Sequence, residues 1–162
     1  MTASNIDRAE KNLQRLLEWV GRHDARSATV FGVVAAMIGA AAALLPPPSD
    51  WVWQLWASAI ATAGGFSFVL VKLFQAQFPR LSSPNKSLIY FGTISRLTLK
   101  DYHNQFLQMS EEDYLRDLIA QCHINSAILE TKFNCLKAAL MCLLLTLAPW
   151  TTTIYLAKEM AS

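Results

Sequence analysis

Charge is missing from three long stretches of this chain. None occurs between Arg26 and Asp50, between Asp50 and Lys72, or between Lys137 and Lys158. A buried helix of a soluble domain rarely runs so far without a charge. A bilayer core of about 30 Å requires ~20 apolar helical residues, so the three runs predict three transmembrane helices. Catalytic signatures are missing too. His23, His103 and His123 are scattered without an HExxH pair, and there is no GxSxG, Walker A loop or GxGxxG. The three cysteines, Cys122, Cys135 and Cys142, form no CxxC pair and read as reduced thiols. Cys122 and His123 are adjacent and point to different helix faces, which is poor metal-ligand geometry. The chain therefore reads as a non-enzyme with no metal and no cofactor. Its net charge of +2 does not suggest a nucleic-acid binder.

What charge there is falls on one side. Arg8, Lys11, Arg15, Arg22 and Arg26 precede the first run. Eight more basic residues lie between Lys72 and Lys137, and only Lys158 follows the last. The positive-inside rule puts the N-terminus and the middle segment in the cytoplasm and the C-terminus in the periplasm. The expected organisation is an amphipathic cytoplasmic helix over 1–26, TM1 over 27–45 and a periplasmic turn over 46–50. TM2 follows over 51–73, a cytoplasmic module over 74–137, TM3 over 138–157 and a periplasmic tail over 158–162. No short apolar region stands at the start, so a cleaved signal peptide is not expected.

Ser4 to Asp7 reads as a capping box. Behind it Ile6, Ala9, Leu13, Leu16, Leu17 and Val20 recur at helical spacing. That amphipathic stalk is predicted to run unbroken into TM1 and to end at Pro46, Pro47 and Pro48. Trp51, Trp53 and Trp56 mark the outer interface. Pro79 to Pro84 reads as a loop. Residues 87–95 suit a strand or a short helix equally well. Thr98 to Asp101 caps a short helix, and Ser110 to Asp113 caps a second stalk that continues into TM3, where Pro149 is expected to kink the helix or loosen its last turns. The fold class is all-α: three transmembrane helices, two of them extended into stalks, with a small helical cytoplasmic module.

Two stripes of small residues, Ala28, Gly32, Ala36 and Ala40 on TM1 and Ala57, Ala61 and Gly65 on TM2, allow helix backbones to approach closely in lipid. They fit either TM1 packing on TM2 or a seam between subunits of a homo-oligomer. In the aqueous part, Arg22, Arg26, Arg96 and Lys132 occur with Tyr90, Phe91, Tyr102 and Phe133. A guanidinium can hold a phosphate and an aromatic face can stack on a base, so the combination suits a small anionic ligand.

The stretches HDARSATVFG (23–32), IYFGTISRLTLKDYHNQF (89–106) and YLRDLIAQCHINSAILETKFNCLKAA (114–139) resemble the Pycsar transmembrane effectors, small bacterial membrane proteins encoded beside a pyrimidine nucleotide cyclase. The resemblance rests on Asp24 and Arg26, Phe91 and Gly92, Tyr102, then Asp117, Leu118 and Gln121, then Lys132 and Phe133. It implies an antiphage effector of the bacterial inner membrane. Such a protein binds cyclic CMP or cyclic UMP from a partner cyclase on its cytoplasmic side and then disrupts the bilayer, aborting the infection. Arg22, Arg26, Arg96 or Lys132 would contact the phosphate and Tyr90 or Tyr102 the base, with Asp24, Asp117 and Gln121 in support. A ligand-independent, holin-like pore and a membrane scaffold protein are the competing readings.

Overall fold

The computed structural model describes residues 2–78 and 87–161. The expected loop at Pro79 to Pro84 lies outside these residues. Among the described residues five α-helices are formed: α1 Thr2–Leu44, α2 Trp53–Gln77, α3 Phe91–Ile94, α4 Leu99–Gln108 and α5 Glu111–Ala161, with a 3-10 turn at Pro48–Asp50. No strand occurs among the described residues. Three of the helices, α1, α2 and α5, are long and apolar enough to cross a membrane.

The helix ends follow the local chemistry. Thr98 caps α4, its Oγ1 accepting from the Asp101 amide at 3.1 Å. Ser110 does the same for the Asp113 amide at the start of α5. The expected cap at Ser4 is not used: α1 begins at Thr2, and Asp7 instead pairs with Lys11 one turn on. α1 stops before Pro46, whose ring disfavours the helical conformation of the preceding residue. Residues 87–95 contain the four-residue α3 and no strand. α5 does not end at Pro149. It continues to Ala161, and the hydroxyls of Thr151, Thr152 and Thr153 bond back to carbonyls of the preceding turn. Polar side chains inside an apolar span are thereby satisfied on their own helix.

The chain forms two compact units. One comprises residues 1–22 and 79–131, the other residues 23–78 and 132–162, so α1 and α5 contribute to both.

In the second unit α1 and α5 run in the same direction, since Asp24 meets Lys132 and the Trp150 indole donates to the Met37 carbonyl at 3.1 Å. α2 runs oppositely. Gly65 meets Thr146, and Thr62, nearer the start of α2, meets Thr153 further along α5 at 3.3 Å. Val34, Phe66, Val69, Leu73, Leu136 and Ala139 form the buried centre. Large apolar side chains also face outward. Ile60 is 65% exposed, Phe74 63% and Leu145 76%. A soluble bundle does not present such faces to water, whereas a bilayer accepts them. Trp51 donates to the Pro46 carbonyl at 2.8 Å, closing the turn between α1 and α2.

The small-residue stripes do not pack α1 on α2. Ala28, Gly32, Ala36 and Ala40 are all exposed, as are Ala57 and Ala61. Only Gly65 sits at a close approach, and its neighbour is on α5: a Cβ there would lie 2.1 Å from Thr146 Oγ1.

Candidate functional site

In the first unit the segment before α3 is tied to α5 by one buried serine. Ser87 is 1% exposed. Its hydroxyl donates to Asp117 Oδ2 at 3.0 Å and accepts from Gln121 Nε2 at 3.0 Å. It also accepts from the amides of Ile89 and Tyr90 at 3.2 and 3.0 Å. The same carboxylate oxygen accepts from the Leu88 amide at 2.9 Å. Asp117 and Gln121 are one turn apart on α5, so both reach the same point beside the helix. No fully buried side-chain nitrogen or oxygen of this knot lacks a partner, as burial requires. The effect is to fix the backbone of residues 87–90, and with it the base of Tyr90.

Tyr90 is half-buried, its ring 4.7 Å from that of Phe91. It lies over the start of α3 because residue 92 is a glycine: a Cβ there would be 2.5 Å from Tyr90 Cε1. Arg96 is exposed in the turn after α3 and has no ion pair among the described residues. Tyr102 is half-buried on α4, 5.8 Å from Phe106. Near it, Tyr114 donates to Glu10 at 2.8 Å. Burial pushes the Tyr114 phenol above its ordinary value, and Glu10, Asp117 and Tyr102 push it the same way. Arg22 is exposed and stands 3.8 Å from Glu18.

In the second unit Lys132 is buried, its side chain 5% exposed, and its ammonium donates to Asp24. Next to the pair, His23 is 1% exposed. Its ring meets Phe133 edge-on at 5.0 Å, its Nδ1 lies 3.5 Å from Ser27 Oγ, and its Nε2 has no partner. Desolvation lowers the His23 pKa, helped by the charge of Lys132 and opposed by that of Asp24. Arg26 is exposed and lines a groove with Phe133 and Lys137.

The anticipated residues thus fall into separate sets. Asp117 and Gln121 share Ser87 in the first unit, which also holds Arg22, Tyr90, Arg96 and Tyr102. Asp24, Arg26 and Lys132 belong to the second. Lys132 is buried with its charge already met, so Arg26 is the accessible cation of that set. Ser87 and His23 were not anticipated. A lone serine or histidine carries no periodic signal, and their importance comes from burial alone. Among the described residues no cluster of His, Cys, Asp and Glu could hold a metal ion.

Residues 8–157 match the model of the family described as the Pycsar effector protein domain. No curated protein and no solved structure matches the chain.

Proposed function

We propose, since the chain belongs to the Pycsar effector family, that cyclic CMP or cyclic UMP made by a partner cyclase switches it on, and that the active form breaches the bacterial inner membrane and aborts infection. The family makes it an antiphage effector and its three apolar helices make it a membrane protein. The proposal adds the ligand, the lesion, a homo-oligomeric state, a cytoplasmic N-terminus and a periplasmic C-terminus. The protein would act without catalysis and without a cofactor.

The observation that carries this reading is the second kind of unit the chain builds. Besides the apolar bundle there is a polar helical unit, in which the Ser87 knot anchors the segment bearing Tyr90. Tyr90 and Tyr102 offer partly open rings to a base, and the guanidinium of exposed Arg96, without an ion pair among the described residues, suits a cyclic phosphate. Asp117 and Gln121, engaged by Ser87, position that segment rather than face the ligand. A pore-forming peptide has no use for such a unit. A ligand that turns a 1:99 resting ratio into 99:1 must favour the active state by about 5.5 kcal/mol. One charge-assisted phosphate contact and stacked aromatics in several subunits are of that order.

Calorimetric titration of the detergent-purified protein with cyclic CMP, cyclic UMP and cyclic AMP tests the ligand. The expected result is micromolar binding of one pyrimidine messenger, weakened at least tenfold by Arg96→Gln or Tyr90→Ala. No binding by a folded protein would favour the ligand-independent pore or the scaffold.

A further inference from the structure

The second unit carries a groove of about 580 Å³ between α1 and α5. Its walls are of two kinds. Arg26 and Lys137 supply two cations, and Phe133, Leu136, Leu140 and Met141 supply apolar surface. The arrangement follows from helical spacing. Val30 comes one turn after Arg26 on α1, and Leu140 and Met141 come one turn after Lys137 on α5. Because the two helices run in the same direction, Val30, Leu140 and Met141 all lie beyond the cations, toward the charge-free runs, while Phe133 and Leu136 precede Lys137 on α5. Arg26 and Lys137 are also the last charges before those runs on their helices, which is the level of the phospholipid headgroups.

Neither cation is neutralised from within. Both are exposed, and neither has an ion pair among the described residues. Asp24, two residues before Arg26, is held by Lys132. The Thr29 hydroxyl on the same wall gives its proton to the Ala25 carbonyl at 3.1 Å, so besides the two cations the lining side chains offer no free donor to read a base or a sugar. Two cations without an ion pair among the described residues, beside an aliphatic channel, match a molecule with an anionic head and a hydrocarbon tail. We infer that this groove binds an anionic phospholipid, with the headgroup phosphate at Arg26 and Lys137 and an acyl chain along Val30, Leu140 and Met141. Basic pockets between transmembrane helices commonly take such headgroups. The inference rests on the membrane character of the chain and is independent of the cyclic-nucleotide proposal.

A cyclic nucleotide also brings a phosphate, so the test separates the two sources. The full-length protein is purified in mild detergent and mixed with phosphatidylglycerol or phosphatidylcholine of the same acyl chains. Retained lipid is counted by native mass spectrometry. Phosphatidylglycerol is expected to be retained about tenfold or more over phosphatidylcholine, as two headgroup-level cations imply. Arg26→Gln with Lys137→Gln should abolish that preference. Lys72→Gln, which removes a cation outside the groove, should preserve it. Leu140→Trp, which fills the channel and leaves both cations, should reduce retention of the lipid and serves if the double variant fails to fold. Equal retention of the two lipids, or a preference that survives the double variant, overturns the assignment. Displacement of the lipid by millimolar cyclic CMP or cyclic UMP overturns it as well, because the cations would then belong to the nucleotide.

Discussion

Lys132 on α5 donates to Asp24 on α1, joining two helices across 108 positions of chain. The ammonium is the more buried partner: its side chain is 5% exposed against 37% for the carboxylate. Removing Asp24 therefore strands a buried charge, while removing both partners does not. Asp24→Ala should destabilise the detergent-solubilised protein by about 3 kcal/mol, the lower end for a broken buried pair because Asp24 keeps contact with solvent. Asp24→Ala combined with Lys132→Met should recover most of the loss. Equal melting temperatures for single and double variants would contradict this picture.

His23 makes the same region sensitive to acid. The groups facing it are Lys132, Asp24 and Arg26, with Ser27 and Phe133 in contact. Burial lowers its pKa below that of an unfolded histidine, about 6.5. Above that value the ring is neutral in both states and folding carries no penalty. As pH falls below it, the unfolded chain takes up the proton more readily, and the stability contribution is lost as pH drops through the lowered folded value. The melting temperature should fall further between pH 7.5 and 5.5 in the natural protein than in His23→Phe. Identical slopes would show that the ring does not titrate against folding.

The Ser87 knot gives a local prediction. Ser87→Ala removes one donor and leaves Gln121 Nε2 and two amides without their acceptor. A cost of about 1–3 kcal/mol follows, read as lower thermal stability together with faster hydrogen exchange at residues 89 and 90. Gly92→Ala acts on the neighbouring ring instead. Its Cβ displaces Tyr90, so with the proposed ligand site at Tyr90 the affinity for the pyrimidine nucleotide should fall more than stability does. Unchanged exchange in Ser87→Ala would mean that another contact holds the segment.

Much of this was legible in the chain itself. The three spans follow from where charge is missing, and the starts of α4 and α5 follow from Thr98 and Ser110, because both signals are local. Ser4 misled for the opposite reason: a cap motif only permits a helix start, and α1 begins earlier, at Thr2. Residues 87–95 were undecidable by periodicity, since a nine-residue apolar segment has too few turns to show a period. What fixes them is Ser87 meeting Asp117 and Gln121, thirty and thirty-four positions away. The stripe on α2 was readable as a close-packing surface, but its partner was not. Small-residue spacing says that a backbone can come near, and only tertiary structure says that it is α5 that comes.

Gly65 tests that packing. Gly65→Ala places a Cβ 2.1 Å from Thr146 Oγ1, and Thr146 is itself buried and bonded to the Cys142 carbonyl at 2.8 Å. Overpacking of this kind costs about 1–3 kcal/mol. Gly32→Ala, with nothing within 4 Å of the new methyl, should lose no monomer stability and gain up to about 1 kcal/mol from helix propensity. Thr146→Ala in the Gly65→Ala background should restore part of the loss, and failure to do so would place the clash elsewhere.

The most direct test of the effector reading is dye release from liposomes carrying the purified protein, with cyclic CMP, cyclic UMP or cyclic AMP supplied in turn to the face bearing the polar unit. The account predicts tight vesicles without ligand and rapid leakage with one pyrimidine nucleotide only. Leakage without any ligand, or none with every ligand, would contradict it.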